Sequence, residues 1–363
     1  MKTFLTFCLF FLFSPHLFAY GKDFFLVDLY LKEHPHQKVI SDTFVQVVDS
    51  PGVKLSVKQT KPVNIVMVYP GNQISDYWRR SKDSFVKRLD ELNIKYSLSN
   101  YFTPSDIDMK AQAKKIFSAI KEDTDYIIFT LDANKHARFI QKIILDKKPK
   151  IILQNITTPL AKLADKQPFL YVGFDHVIGS KLIADYYIKK SQGQGKYALL
   201  YGTEGYVSYM RGDTFIEYVS EHSELKLVSS YYTDFSKEKA MNATREILKS
   251  HPDIKFIYAC STDVALGAME VLKEQNLLGK IAINGWGGGS SELDAITNNM
   301  LDVTVMRVND DNGVAMAEAI KLDLEGKSSE VPTIFSGQFH LVEKGIQKTL
   351  LDSYKSRAFR YTK

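Results

Sequence analysis

From residue 64 onward, short apolar runs alternate with segments in which apolar side chains recur every three or four residues. The continuous runs are typical of strands buried on both faces of a parallel sheet, and the periodic segments are typical of amphipathic helices. Such an alternation indicates βαβ units. In the first half, the predicted strands are 64–69, 95–98, 125–130, 150–153 and 169–173, and the predicted helices are about 76–93, 106–122 and 134–145.

The same alternation begins again at residue 177. Its predicted strands are 197–201, 225–231, 254–260, 281–284 and 303–306, and its predicted helices are 177–190, 206–222, 237–250, 264–275 and 290–298. A last helix at 311–324 precedes two strand-like segments at 333–335 and 339–342. We therefore expect an α/β fold of two doubly wound parallel-sheet lobes joined by a multi-strand hinge. A fold of this kind has a ligand cleft between two rows of strand ends.

The first residues have the pattern of a secretory signal peptide. Met1-Lys2 is positively charged, the apolar run at 3–13 is too short to span a bilayer comfortably, and Ala19 offers a small residue for cleavage. We therefore predict a periplasmic chain whose mature form begins near Tyr20. Removal of the signal would leave Cys260 as the one cysteine, which excludes a disulfide within the chain.

These patterns divide the chain into four parts. Residues 1–19 are the predicted signal peptide, and residues 20–61, which do not fit the alternation, are predicted to form an N-terminal arm packed on the domain surface. The predicted N-terminal lobe comprises 62–174 and 307–334, and the predicted C-terminal lobe comprises 175–306 and 335–363.

Charge and motifs exclude several classes of function. The 47 basic and 42 acidic residues are scattered along the chain without a dense basic block, which argues against a nucleic-acid partner. The sequence contains no nucleophile elbow, no phosphate-binding loop of the G-x-x-x-x-G-K-[ST] type and no H-E-x-x-H zinc motif. We therefore expect neither an enzyme nor a metal site or cofactor.

Polar and aromatic residues stand at the predicted strand ends, where an open α/β sheet binds its ligand. The candidate ligand-binding residues are Gln73, Ser75, Trp78, Asn155, Arg211, Thr262, Asp263, Trp286 and Arg307.

Each candidate also has a structural alternative. Thr262 or Asp263 could cap the helix that follows, and Asn155 could order its own turn. Trp286 could be a packing residue, and Arg211 could pair with a surface carboxylate. The functional interpretation is favoured because all of these residues fall on one edge of the fold.

The chemistry of the candidates also converges. Trp78 and Trp286, the only tryptophans, offer flat apolar faces for a carbohydrate-like ring, and the amide, hydroxyl and carboxylate side chains suit hydroxyl groups. Arg211 and Arg307 would bring two positive charges into a cleft that otherwise contains only the carboxylate of Asp263. Two buried cations are costly unless the ligand is negatively charged. The residues therefore predict a polyhydroxylated, anionic small molecule.

Residues 62 to about 345 resemble the ribose-type periplasmic binding proteins. Val172-Gly-Phe-Asp175 followed by Ile178-Gly179 is similar to the first hinge of that family, and 312–320 is similar to its post-hinge helix. Within the family, the run Gln73-Ile-Ser75-Asp-Tyr-Trp78 and the other candidate residues resemble the receptors of the quorum-sensing signal autoinducer-2.

The resemblance implies a type I periplasmic binding protein fold and a ligand, the furanosyl borate diester of autoinducer-2. Arg211 and Arg307 would be the counter-charges of the borate. The implied partner is the periplasmic domain of a membrane sensor histidine kinase of the LuxQ type. The alternative is a sugar-binding protein of an uptake transporter. A transcription repressor with the same core would need a helix-turn-helix before residue 64, where this chain has its signal peptide and arm.

Overall fold

The computed structural model describes residues 23–71, 73–103, 114, 116–118, 123–130, 137–145 and 149–363. The predicted signal peptide and most of the helix predicted at 106–122 lie outside the described residues. Within the described ranges, no helix is both long enough and apolar enough to cross a bilayer.

Two six-stranded sheets form the centres of two lobes. The strands of the described residues are β1 Val63–Pro70, β2 Tyr96–Thr103, β3 Tyr126–Thr130, β4 Lys150–Gln154, β5 Leu170–Phe174, β6 Gln194–Tyr201, β7 Glu224–Tyr232, β8 Phe256–Ala259, β9 Ala282–Gly287, β10 Val303–Arg307, β11 Ile334–Gly337 and β12 Phe339–Glu343. The first sheet has the order β11-β5-β4-β3-β1-β2 and the second β12-β10-β9-β8-β6-β7. All neighbouring strands are parallel except β10 and β12. The predicted fold class is confirmed.

Helices cover the faces of both sheets. In the described residues they are α1 Val27–Glu33, α2 Pro35–Asp49, α3 Tyr77–Glu91, α4 Ala137–Leu145, α5 His176–Ser191, α6 Tyr206–Ser208, α7 Thr214–His222, α8 Lys237–Ser250, α9 Thr262–Glu274, α10 Ser290–Thr297, α11 Asp310–Leu324 and α12 Lys348–Ala358. A π-helical turn, Tyr209–Asp213, joins α6 to α7.

Burial explains why the apolar runs form these strands. Met67, Val68 and Tyr69 of β1 are fully buried although successive side chains point to opposite faces of the sheet. The edge strand β2 is longer than the segment predicted at 95–98. Its exposed and partly buried residues alternate over most of its length, so that it lacks the continuous apolar run by which the central strands were identified.

Within the part of the chain that the structure describes, the backbone passes between the two sheets three times. The passages follow β5, β10 and β11, and the second leads into α11, which packs against α3 of the first lobe. The predicted lobe boundary between residues 334 and 335 falls inside β11. That strand pairs with β5 along its whole length, so the third passage lies at Gln338, before β12.

The segment predicted as an N-terminal arm forms α1 and α2 and packs on the first lobe. Phe44 and Val48 are almost completely buried in the core of that lobe, where the Phe44 ring meets Phe335 edge to face at 5.9 Å. At its start, Phe25 donates its backbone N–H to the carbonyl of Pro159. This part of the arm is therefore continuous with the folded core.

Candidate functional site

A small cavity lies between the carboxyl ends of the strands of the two sheets. Its volume is about 50 Å³, measured as the space open to the centre of a water-sized sphere. All nine sequence-predicted residues line it: Gln73, Ser75, Trp78, Asn155, Arg211, Thr262, Asp263, Trp286 and Arg307. The structure therefore brings together residues that are separated by up to two thirds of the chain. Their role in binding a ligand stays a prediction.

The loop after β1 forms the wall contributed by the first lobe. The indole Nε1 of Trp78 donates a hydrogen bond of 3.0 Å to Oε1 of Gln73, which fixes both side chains against the cavity. The Trp78 ring also packs at 5.0 Å from the ring of Tyr69. A rigid indole and an oriented amide are therefore available to a ligand from this side.

Asp263 joins the two lobes. Its carboxylate accepts a hydrogen bond of 2.8 Å from the backbone N–H of Ile74 and one of 3.4 Å from that of Ser75. Burial raises the pKa of Asp263 above its ordinary value, although these two donors act in the opposite direction. The alternative in which Asp263 caps its own helix is not what the structure shows. Ser261 is the N-cap residue of α9, and no side-chain capping bond forms there.

A second set of contacts closes the lobes over the cavity. The hydroxyl of Ser290 donates to the carboxylate of Asp76 at 2.9 Å, and the guanidinium of Arg80 donates to the same hydroxyl at 2.9 Å. Asp76 and Arg80 belong to the first lobe and Ser290 to the second. The structure thus shows the lobes in contact on the open side of the cleft, which is the closed form of such a hinge.

Arg211 lies in the π-helical turn and is buried. Its Nε donates to Nδ1 of His176 at 2.8 Å, and its Nη1 donates to the carbonyl of Cys260 at 2.7 Å. The guanidinium stacks 3.6 Å from the ring centroid of Trp286. Burial, with a contribution from the nearby charge of Arg307, lowers the pKa of Arg211 to about 9. The alternative of a surface ion pair is wrong, because only 4% of Arg211 is exposed.

Arg307 enters the cavity from the end of β10. Its guanidinium lies 4.0 Å from the ring centroid of Tyr77, and burial lowers its pKa from the ordinary value. Gly287 makes room for it. A Cβ atom at that position would lie 2.3 Å from Nη2 of Arg307, and the φ of +137° also favours glycine.

Neither arginine has an acidic partner among the ion pairs of the described residues. The one other buried arginine among the described residues, Arg88, is paired with Glu318. With the carboxylate of Asp263, the two guanidinium groups leave one net positive charge among the side chains that line the cavity.

Asn155 and Trp286 line the cavity and also have a structural role. Asn155 has a φ of +64°, as expected of an asparagine that orders a turn, and it lines the cavity as well. Trp286 packs against His176 and Phe339 in addition to Arg211, so it is at once a core residue and part of the wall.

Sequence reasoning missed several residues of the site. Tyr77 and Ser261 line the cavity, and the buried hydroxyl of Ser261 has no hydrogen-bond partner among the described residues. His176 contacts Arg211 and, through Nε2 at 3.1 Å, the carbonyl of Asn155. Its position directly after Asp175, at the first crossing between the lobes, is the one signal that could have identified it.

The buried imidazole of His176 predicts a loss of stability in acid. Burial, Arg211 and Arg307 hold its pKa well below the usual 6.5, so the folded state favours the neutral ring. The stability linked to this ring is therefore present above about pH 6.5 and is lost as the pH falls below it. Relative to a His176→Gln variant, we expect the free energy of unfolding to fall by up to about 1.4 kcal/mol per pH unit in that range.

Urea denaturation of both proteins at pH 7.5, 6.5 and 5.5 measures this difference. Burial raises the pKa values of Asp213 and Asp310 to about 6, so these two groups add stability as the pH falls. Both are present in the wild type and in the variant, so their contribution cancels in the difference between the two proteins. Identical pH dependence in the two proteins would show that His176 is not held neutral.

Comparison with known proteins agrees with this architecture. The model of the periplasmic binding protein domain family matches residues 65–328. The ribose import binding protein RbsB of Salmonella typhimurium is 27% identical over 158 residues, which is 43% of this chain and 53% of that protein. The D-apiose import binding protein of Paraburkholderia graminis is 25% identical over 233 residues, 58% of this chain and 73% of that protein. The chain therefore spans about half the length of the ribose relative it matches.

Solved structures share the fold at low sequence identity. A periplasmic solute binding protein of an ABC transporter from Actinobacillus succinogenes, crystallised with D-allose, superposes with a TM-score of 0.67 at 22% identity. The match covers 78% of this chain and 98% of that structure. At this identity the likeness concerns the fold.

Proposed function

The chain belongs to the periplasmic binding protein domain family, and we propose that it is a receptor for a small polyhydroxylated anion. The ligand would bind between the lobes, touch both of them and so favour the closed form by its higher affinity for that form. The proposal includes no catalytic step. The predicted signal peptide supports the periplasm as its compartment.

The single observation that carries the proposal is a pair of buried guanidinium groups, Arg211 and Arg307, that form no ion pair with any carboxylate of the described residues. Burying an unpaired charge costs several kcal/mol, and an anion in the cavity would offset that cost. Asp263 also lines the cavity, but it forms no ion pair with either arginine among the described residues, and its carboxylate accepts hydrogen bonds from Ile74 and Ser75 on the other lobe. A neutral ligand would leave Arg211 without a nearby carboxylate, and Arg307 with only the through-space attraction of Glu292 and Asp76.

The other walls suit a ring that carries hydroxyl groups. Trp78 and Trp286 offer aromatic surface, and Gln73, Asn155 and Thr262 offer amide and hydroxyl groups. Within this chemical class, we propose the furanosyl borate diester of autoinducer-2, the ligand of LuxP-type receptors. Its tetrahedral borate carries one negative charge among hydroxyl oxygens. The partner in this proposal is the periplasmic domain of a LuxQ-type membrane sensor histidine kinase.

A second candidate is a sugar-binding protein of an ABC uptake transporter. The names of the relatives favour it over the signal receptor, since they describe import binding proteins for ribose and apiose. In that case the ligand would be a neutral pentose or hexose, and the partner would be a membrane permease. The two candidates share the fold and the hydroxyl-binding groups. They differ in the charge of the ligand, for which the cavity itself favours the anion.

Intrinsic fluorescence can separate these candidates, because both tryptophans of the chain line the cavity. We expect autoinducer-2 in borate buffer to change the emission saturably, with an affinity at least about tenfold higher than that of ribose, allose or apiose. Tenfold corresponds to about 1.4 kcal/mol, less than one charge-assisted hydrogen bond commonly contributes. In a Trp78→Phe variant, Trp286 is the one remaining tryptophan. A fluorescence change that persists in this variant does not come from direct contact between the ligand and the indole of Trp78. Equal or tighter binding of a neutral sugar would support the second candidate.

A further inference from the structure

Both ring nitrogens of His176 have a partner, and these partners determine its tautomer. The Nε of Arg211 can only donate a hydrogen bond, so Nδ1 of His176 must accept it at 2.8 Å. The proton of the neutral ring therefore sits on Nε2, which donates to the carbonyl oxygen of Asn155 at 3.1 Å. The two hydrogen bonds are compatible only when the imidazole is uncharged.

Two aromatic rings also pack against the imidazole. It stacks on Trp286 at 5.3 Å between ring centroids with planes 19° apart, and it meets Tyr206 edge to face at 5.6 Å. His176 is the first residue of α5, directly after the chain has crossed from β5 into the second lobe. It thus connects Asn155 of the first lobe with Arg211 of the second at the hinge.

The partners of Arg211 orient its charge without neutralising it. The acceptors of Nε and Nη1 are the imidazole of His176 and the carbonyl of Cys260, both uncharged. Among the described residues, Nη2 has no protein hydrogen bond, and the residue lines the cavity. A carboxylate in place of the imidazole would form a buried ion pair with the guanidinium and weaken its attraction for a ligand.

We propose that His176 is a specificity-determining positioning residue that aims Arg211 as a neutral hydrogen-bond acceptor and so leaves its positive charge to the ligand. The proposal deepens the proposed function and rests on it for the nature of the ligand. The residue acts through Arg211 rather than by touching the ligand.

Two variants of the same shape, one neutral and one charged, test the proposal, and ribose binding controls for the hydrogen bond to Asn155 that a carboxylate cannot donate. In His176→Gln, the amide oxygen can accept from Arg211 while the amide nitrogen donates to Asn155, so both roles of the ring are preserved. In His176→Glu, a carboxylate accepts from Arg211 and brings a negative charge. We expect the Gln variant to bind autoinducer-2 in borate buffer within about threefold of wild type. The Glu variant should bind it at least tenfold more weakly than the Gln variant, with ribose affinity changed less than threefold.

The outcomes separate this proposal from the proposed function. If wild type prefers the borate ligand to ribose but the Gln and Glu variants bind that ligand equally, the proposal for His176 is overturned. If wild type shows no such preference, the proposed function fails. In that case, the tautomer of His176 in the unliganded protein decides whether its ring accepts a hydrogen bond from Arg211.

That tautomer is measured in wild type, so the test does not depend on the variants folding. Nitrogen-15 spectra of the histidine rings at pH 7.5 should show for His176 a protonated Nε2 and an unprotonated Nδ1. An imidazolium, or a ring protonated on Nδ1, would overturn the proposal because in neither form can Nδ1 accept the hydrogen bond from Nε of Arg211.

Discussion

Replacing Arg211 with Met is expected to weaken the binding of autoinducer-2 in borate buffer by at least about 2 kcal/mol, or roughly 30-fold. The guanidinium is buried, stacks on Trp286 and has no acidic partner among the described ion pairs, so its charge is available to the ligand. Methionine is similar in length and can keep the contact with the indole. The loss therefore reports the charge and its hydrogen bonds rather than the packing.

The same reasoning applies to Arg307→Met, and titration calorimetry of the two variants measures both effects. Arg245→Met is the matched control, because Arg245 forms an exposed ion pair with Glu274 at 2.9 Å. We expect that control to bind like wild type. Normal binding by both cavity variants would contradict the assignment of the site.

Replacing Glu318 with Leu is expected to destabilise the unliganded chain by about 3 kcal/mol, the low end of the usual cost of breaking a buried ion pair, because Arg88 keeps an ion pair of 3.1 Å with the partly exposed Glu91. Glu318 lies 2.6 Å from a guanidinium nitrogen of Arg88, and both side chains are almost fully buried. Arg88 also donates to the carbonyl of Ser50 in the N-terminal segment and to the hydroxyl of Tyr361 near the C-terminus. The pair therefore connects helices α3 and α11 with the N-terminal segment and with the C-terminal end of the chain.

Urea denaturation measures this loss, with Lys38→Ala as the control. Lys38 pairs with Asp42 at 2.6 Å, but more than half of each side chain is exposed. We expect that exposed pair to contribute less than about 0.5 kcal/mol. The double variant Arg88→Met/Glu318→Leu should lose less stability than the sum of its single variants, because it removes the stranded charge. A loss below 1 kcal/mol in Glu318→Leu would show that the pair is not needed.

The contrast between Arg88 and Arg211 shows what the sequence could and could not predict. Both arginines lie in helical segments, and nothing in their neighbouring residues reveals which one has a buried carboxylate. The partner of Arg88 is 230 residues away, in the helix that returns to the first lobe. Arg211 was identified because it follows a predicted strand end, at the edge where this fold binds ligands.

The fold itself was predictable because parallel strands are buried on both faces and therefore appear as continuous apolar runs. The edge strand β2 shows the limit of this signal, since its partly exposed residues extend the pairing beyond the predicted segment. The closing contacts were not predictable. The carboxylate of Asp263 meets the backbone of Ile74 only after the hinge has brought the lobes together. His176 was missed for the same reason, because its role depends on two partners from different lobes.

The most direct test of the anionic ligand is titration calorimetry of the purified chain with autoinducer-2 in buffers with and without borate. We expect tight binding that requires borate, and much weaker binding of ribose under both conditions. Binding that is indifferent to borate, or ribose bound as tightly as autoinducer-2, would contradict this expectation.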